Sequence, residues 1–163
     1  MINTALTELL GIEHPLLAAP MAGVAGGALA AAVSGAGGFG LIGGGYGDRN
    51  WLAEQTATLD CSRLGIGFIT WRLAEEPALL DVALAAKPRA ILLSFGDVQP
   101  FAAKIRASDA LFIAQVQTLG AACAARDAGA DIIVAQGTEA GGHGGARATL
   151  PLVPAVVDAV APL

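Results

Sequence analysis

The residue types best suited to chemistry stand together near the carboxyl-terminal end of the chain, in a segment rich in glycine. His143 lies between the pairs Gly141-Gly142 and Gly144-Gly145, and Glu139 precedes it. A histidine has an unperturbed pKa of about 6.5, so it can act as a base or an acid near neutral pH. Glycine lacks a Cβ, which lets the backbone approach a planar or phosphorylated ligand closely. This pattern predicts acid–base chemistry at His143 beside a bound ligand, and the alternative is a surface loop with a solvated His and Glu.

Other reactive side chains are few, and their settings favour structural roles. The only other histidine, His14, precedes an apolar run and is expected to be structural. Cys61 and Cys123 are far apart and in no metal-ligand spacing, so we expect ordinary thiols and no metal site. Ser94 lacks the Gly-x-Ser-x-Gly setting of a hydrolase nucleophile. His143 therefore remains the main candidate for catalysis.

Six short apolar runs predict the strands that position these residues. They cover residues 16–19, 39–42, 64–69, 90–93, 110–115 and 131–135. Each run is continuous rather than alternating, which is typical of a parallel sheet buried on both faces. Ala-rich segments between the runs predict helices at 28–34, 50–58, 77–85, 100–107 and 118–128, with a further helical segment at 154–161.

The regular alternation of runs and helices predicts an α/β fold in one domain spanning residues 1–163. We expect the first six βα units of a TIM-type (β/α)8 barrel, without strands 7 and 8, because a whole barrel takes typically about 250 residues. A doubly wound open sheet of six strands is the alternative. Apolar strand edges in an incomplete barrel predict self-association.

In either fold the active site forms at the carboxyl ends of the parallel strands. This rule selects the residues that follow each run, at 19–23, 43–46, 70–71, 94–96, 115–117 and 136–145. The segment after the sixth run contains His143. The sequence therefore places the candidate catalytic residue at the end of the sheet where parallel folds bind their ligands.

Composition narrows the class of partner. The chain is 55% hydrophobic and 14% charged, with a formal net charge of −5 and no run of Lys or Arg, which argues against nucleic acid or an anionic membrane surface. Residues 14–46 carry no charge, but Pro20 and many glycines interrupt them, so we expect strand, turn and helix there rather than a membrane span. Residues 1–13 show no secretory signal. We expect a cytoplasmic protein with a small-molecule partner.

Three segments resemble a known family. Residues 14–23, His-Pro-Leu-Leu-Ala-Ala-Pro-Met-Ala-Gly, resemble the opening strand of nitronate monooxygenases, formerly called 2-nitropropane dioxygenases. Residues 135–145, Ala-Gln-Gly-Thr-Glu-Ala-Gly-Gly-His-Gly-Gly, resemble the most characteristic segment of that family, and residues 36–42 are similar to its second strand. The resemblance extends in order over nearly the whole chain and favours the barrel over the open sheet.

The resemblance implies an FMN-dependent enzyme whose flavin lies across the carboxyl ends of the strands. Carried over by position, His143 is the catalytic base, and the cofactor contacts are Ala19, Pro20, Met21, Gln115, Gln136, Gly141 and Gly142. The family oxidises alkyl nitronates with molecular oxygen to carbonyl compounds and nitrite. The cofactor supplies the electron transfer, and the protein orients it.

Two positions depart from the family pattern. Gly65-Ile66-Gly67 stands where many members have an Asn as the third residue, so that side-chain contact to the flavin is absent. Gln115 stands where some members have Lys, and a neutral amide cannot stabilise an anionic ring by charge. Phosphate anchoring is expected to be weak, because the loops after strands 7 and 8 hold the phosphate in such barrels.

Two other functions stay open at this stage. A flavin-dependent enoyl-acyl-carrier-protein reductase, a relative with the same type of segment at 139–143, is the alternative enzyme. A truncated, non-catalytic chain that depends on a partner chain is the alternative from a different class.

Overall fold

Five of the six predicted strands form one parallel sheet in the computed structural model, which describes residues 2–161. The strands are β1 (Gly40–Gly45), β2 (Leu64–Ile69), β3 (Ala90–Ser94), β4 (Leu111–Val116) and β5 (Ile132–Ala135). The helices are α1 (Ala5–Leu10), α2 (Gly27–Gly35), α3 (Arg49–Thr56), α4 (Thr70–Glu75), α5 (Ala78–Ala85), α6 (Gln99–Arg106), α7 (Leu119–Asp127) and α8 (Thr149–Val160). A 3-10 turn at Cys61–Arg63 precedes β2.

The strand order confirms the barrel-type interpretation. The strands pair in the order β1-β2-β3-β4-β5, each parallel to the next. A doubly wound sheet reverses direction at a switch point and therefore has non-consecutive neighbours. Consecutive order instead means that the chain winds in one direction, as in a barrel.

The expectation of a full first strand at residues 16–19 was wrong, because this segment makes a single parallel bridge between Leu17 and Phe39. Ala18 N donates to Phe39 O over 2.9 Å, and Phe39 N donates to Leu16 O over 2.8 Å. In a parallel ladder the next donor on the same side is two residues further along, and that residue is Pro20, which has no N–H. The ladder therefore stops after one bridge.

Two apolar cores lie on opposite faces of the sheet and explain why its strands are apolar throughout. The larger core packs one face, with Ile66, Leu93 and Phe112, against helix residues such as Leu80 and Ile105. In the smaller core, strand residues on the opposite face of the sheet pack against Leu10 at the end of α1. Strand members of the smaller core include Leu41, Leu92 and Ile113. Helix α1 thus closes the amino-terminal end of the barrel interior, while helices from α2 to α8 contribute to the outer side.

Two helices were not expected from the sequence, and a third begins earlier than expected. Helices α1 and α4 are six residues each, too short to give a clear period. Helix α8 begins at Thr149 rather than near Pro154, and Pro154 lies inside it. None of the helices within residues 2–161 has both the length and the apolar composition that a bilayer crossing requires.

Candidate active site

Strand alternation determines which side chains reach the mouth of the barrel interior. Leu92 and Ile113 belong to the inner core, and Val134 packs against it. Side chains of a strand alternate between faces, so the residues two positions further along also face inward. These residues are Ser94, Gln115 and Gln136, and all of them line one cavity at the carboxyl ends of the strands.

This cavity brings together every residue that the sequence assigned to the site. It is open to solvent and has a volume of about 250 Å³. Its lining includes Ala19, Pro20, Met21, Gln115, Gln136, Gly141, Gly142 and His143. Tyr46, Phe68 and Phe95 add aromatic surface. Residues at or just after the carboxyl ends of all five strands, together with the segment after the Leu17 bridge, therefore converge on one space.

Glycines on β1 and β2 let the segment from Ala19 to Ala22 lie directly against the sheet. A Cβ at Gly67 would stand 2.4 Å from Pro20 Cβ and 2.6 Å from Pro20 Cγ. A Cβ at Gly43 would stand 2.5 Å from Met21 O. Any side chain at either position would push the segment out of the cavity wall. Gly67, which departs from the family pattern, thus has a packing role here.

The His143 side chain is exposed at the rim of the cavity and packs beside Phe95. The ring centroids are 5.7 Å apart, and the ring planes are tilted by 52°. Phe95 has a φ of 60°, a left-handed conformation that costs a non-glycine residue about 1–3 kcal/mol. That conformation at the end of β3 places the Phe95 ring in the cavity lining instead of the core.

The backbone of the histidine loop is fixed by a chain of amide groups. Gln117 Nε2 donates to Gln136 Oε1 over 2.9 Å, and Gln136 Nε2 donates to His143 O over 3.0 Å. A glutamine amide has two N–H donors and two acceptor lone pairs. Gln136 therefore keeps one N–H and one lone pair for a ligand. Within residues 2–161, the Gln115 amide makes no side-chain hydrogen bond, so all of its groups can face the cavity.

Glu139 has a structural role at the other end of the loop. Its Oε2 accepts from Thr149 Oγ1 at 2.6 Å and from Thr149 N at 2.8 Å. These hydrogen bonds hold the pKa of Glu139 below its usual value, and the bond from the Thr149 side chain has the larger effect. Thr149 is the first residue of α8, so a carboxylate lies at the positive end of that helix. The contact ties the histidine loop to a rigid element.

The cavity carries little charge of its own. None of its lining residues is Lys, Arg, Asp or Glu. Arg72, which lies in α4 just after β2, donates to Tyr46 O and to Glu75, and it also pairs with Glu76. Its charge is therefore neutralised by side chains outside the cavity.

The lining fits the ring system of a flavin better than it fits the flavin phosphate. Apolar walls, amide groups at Gln115 and Gln136 and an open space over the loop suit a flat ring with a few polar atoms. A Cβ at Gly141 would meet no atom within 4 Å, so a ring can approach that backbone. No cation among the lining residues is available for a phosphate.

Two residues of this site received no specific role from the sequence. Phe95 and Gln117 both lie in segments that the carboxyl-end rule selected, but the sequence does not reveal their contacts. Phe95 O accepts a hydrogen bond from Trp71 N, and Gln117 donates to Gln136, so both residues have partners distant in sequence. Their position after β3 and β4 was the only signal.

Comparison with known proteins gives consistent matches over nearly the whole chain. A family model for nitronate monooxygenase matches residues 3–61 and 71–162. A nitronate monooxygenase of Paraburkholderia phytofirmans is 34% identical, over 86% of this chain and 50% of that protein. The (3aS,4S,5R,7aS)-5-hydroxy-7a-methyl-1-oxo-octahydro-1H-indene-4-carboxyl-CoA dehydrogenase of Rhodococcus jostii is 32% identical, over 98% of this chain and 46% of that protein. The chain thus spans about half the length of the curated relatives that it matches.

Solved structures match the fold as well. FabK from Thermotoga maritima matches with a TM-score of 0.90 and 32% identity, over 98% of this chain and 52% of that chain. A nitroalkane oxidase from Streptomyces ansochromogenes matches with a TM-score of 0.75 and 29% identity, over 97% of this chain and 58% of that chain.

Proposed function

This chain belongs to the nitronate monooxygenase family, and we propose that its cavity binds FMN and serves the oxidation of small alkyl nitronates by oxygen, with His143 as the base. One observation carries the proposal most directly. All eight residues that the family resemblance assigned to the cofactor and the base line the same open cavity at the carboxyl ends of the strands. The barrel topology brings the carboxyl ends of the strands together, and the family resemblance assigns these eight residues, spread from Ala19 to His143, to the cofactor and the base at that meeting point.

The proton step needs only groups that this chain supplies. The imidazole of His143 is exposed at the rim, so a neutral nitroalkane can reach it from solvent. The neutral imidazole takes the proton from the carbon that bears the nitro group, and the electron pair of that C–H bond moves into the nitronate. Phe95 packs beside the ring and leaves its nitrogens free to receive the proton. No side chain in the described residues donates a hydrogen bond to them.

Holding the cofactor falls to backbone and amide groups. Ala19, Pro20 and Met21 form the wall on the β1 side, and Gly141 and Gly142 form the opposite rim. Bound FMN would supply the electron transfer to oxygen that yields the carbonyl compound and nitrite. The side chain of Gln115 is free to donate a hydrogen bond to the flavin ring. The seven proposed cofactor contacts contain no cation, so ring contacts would have to provide most of the affinity.

A reductase is the second candidate. The TM-score of 0.90 to FabK from Thermotoga maritima supports the alternative of a flavin-dependent enoyl-acyl-carrier-protein reductase. The two functions differ in the partner of the flavin. A reductase oxidises a nicotinamide cofactor, whereas a nitronate monooxygenase consumes oxygen with a nitronate and ignores nicotinamides.

The test uses the chain after incubation with FMN and removal of free flavin. Oxygen uptake and nitrite release are measured with the nitronate of 2-nitropropane, and nicotinamide oxidation is measured by the loss of its absorbance. We expect oxygen uptake with matching nitrite and no nicotinamide oxidation. Nicotinamide oxidation without nitronate turnover would contradict the proposal and favour the reductase. A chain that takes up no FMN would favour the non-catalytic alternative.

The cytoplasmic location stays a prediction.

A further inference from the structure

A chain of two glutamine amides connects the end of β4 to the backbone of His143. Gln117 donates to Gln136 Oε1, and Gln136 Nε2 donates to His143 O, over 2.9 Å and 3.0 Å. An amide group has its acceptor on one side and its donors on the other. The bond from Gln117 therefore sets which end of the Gln136 amide faces the histidine loop. We propose that Gln117 is a positioning residue for His143 and acts through Gln136.

The reason lies in the polarity of the Gln136 amide. Without a donor at position 117, this amide can turn over and present its oxygen to the carbonyl of His143. Two acceptors facing each other repel, and the bond that holds the carbonyl is lost. A net hydrogen bond of this kind contributes typically about 1 kcal/mol, enough to shift the population of an exposed loop several-fold.

Packing shows that the loop is built around Gln117. A Cβ at Gly145 would stand 2.8 Å from Gln117 Cβ, so the end of the histidine loop passes directly over this side chain. Gln117 is half-buried, whereas His143 is exposed. The half-buried residue can therefore serve as a fixed point for the exposed one.

The consequence for His143 concerns its imidazole. Phe95 contacts the ring on one side, with the centroids 5.7 Å apart, and Gln136 holds the backbone carbonyl. Within residues 2–161, the His143 ring makes no side-chain hydrogen bond of its own. Loss of the carbonyl anchor should therefore let the ring leave Phe95. The inference rests on the proposed function only in giving His143 a role as base.

The experiment follows the contact between His143 and Phe95 by NMR in the full chain, without added flavin. The chain has only two histidines, so His14→Gln assigns the His143 ring signals. Gln117→Glu keeps the shape but can only accept, and Gln117→Met keeps similar length without hydrogen bonds. Gln99→Glu is the matched control, because Gln99 Nε2 donates to the carbonyl of Ala124 at 3.2 Å, on the outer helices.

We expect a nuclear Overhauser effect between the His143 and Phe95 ring protons in the native chain and in Gln99→Glu, and its loss in both Gln117 variants. Gln136→Met should lose it as well. Combining Gln117→Glu with Gln136→Met should cause no further change in the His143 ring signals, because both act through the same bond.

Three results would overturn the proposal. One is an unchanged nuclear Overhauser effect between the His143 and Phe95 rings in a Gln117 variant whose amide spectrum matches that of the native chain. Another is an additional change in the double variant. The third is unfolding of both Gln117 variants, because Gln117 would then be a general structural residue. FMN titration of the same native sample tests the proposed function separately, so a positioned histidine without flavin binding would refute that function alone.

Discussion

Replacing Gly67 by alanine tests the packing that forms the cavity wall. The new Cβ would stand 2.4 Å and 2.6 Å from two atoms of the Pro20 ring, a separation at which something must move. The proline ring cannot rotate away, and hydrogen bonds on both sides of it, from Ala18 to Phe39 and from Gly43 to Ala25, restrain the segment. The φ of Gly67 is not left-handed, so the effect comes from packing and not from backbone strain.

The expected magnitude follows from two opposing effects. Overpacking costs about 1–3 kcal/mol, and a contact this close belongs at the upper end. Replacing a strand glycine by alanine recovers roughly 0.5–1 kcal/mol of chain entropy. The net loss of about 2 kcal/mol corresponds to a Tm lower by about 4–8 °C for a chain of this size.

Thermal unfolding followed by circular dichroism provides the measurement, with Gly144→Ala as the matched control. A Cβ at Gly144 would meet no atom within 4 Å, and its φ is not left-handed, so its Tm should shift by no more than about 2 °C. The double variant Gly67→Ala with Pro20→Gly should lose less stability than the two single losses added together. If Gly67→Ala unfolds at the same temperature as Gly144→Ala, the placement of Pro20 against β2 is refuted.

Three further predictions concern the site, the loop and the free edge of the sheet. His143→Ala should reduce turnover of neutral nitroalkanes by about 10²- to 10⁴-fold, or roughly 3–5.5 kcal/mol of barrier. Turnover of pre-formed nitronates should fall much less, since these substrates already lack the proton. Equal losses on both substrates in steady-state assays would show that His143 is not the base. Because the pKa of Glu139 is lowered from 4.5, its carboxylate contributes stability above that value and loses the contribution as pH falls through the lowered pKa. Glu139→Gln should therefore destabilise the chain in urea at about pH 7, with a difference that narrows as the pH falls below 4.5. A difference independent of pH would show that the charge does not matter. Half-buried Ile132 and Ile133 on the edge strand β5 should cause self-association, and a stable monomer in light scattering would contradict this.

The sequence predicted the sheet well because a strand that is buried on both faces appears in the sequence as a continuous apolar run. The continuous run at 64–69 coincides with β2, since both of its faces are covered and no polar residue is tolerated. Alternation within the strands then places Gln115 and Gln136 at the mouth, which the carboxyl-end rule captures without knowledge of any contact.

The features that the sequence could not give depend on partners distant in the chain. The apolar run at 16–19 has the composition of a strand, but the register of its ladder puts Pro20 where a donor is required. Helix α8 begins at Thr149 because a carboxylate ten residues earlier accepts hydrogen bonds there, whereas local propensity favours a later start near Pro154. The contact of Gln117 with Gln136 joins the ends of two neighbouring strands and follows no local pattern.

Titration of the native chain and of Gly141→Val with FMN tests the central claim most directly. Binding is monitored by the visible absorbance of the flavin. A Cβ added at Gly141 would meet no protein atom within 4 Å, and the φ of Gly141 is not left-handed. Gly141→Val should therefore fold normally while its side chain fills the space over the loop. Gly144→Val, equally free of contacts and outside the cavity lining, is the control. We predict saturable binding to the native chain and to Gly144→Val, and at least a tenfold weaker affinity in Gly141→Val, equivalent to about 1.4 kcal/mol. No binding to the native chain, or equal affinity in all three proteins, would contradict a flavin site in this cavity.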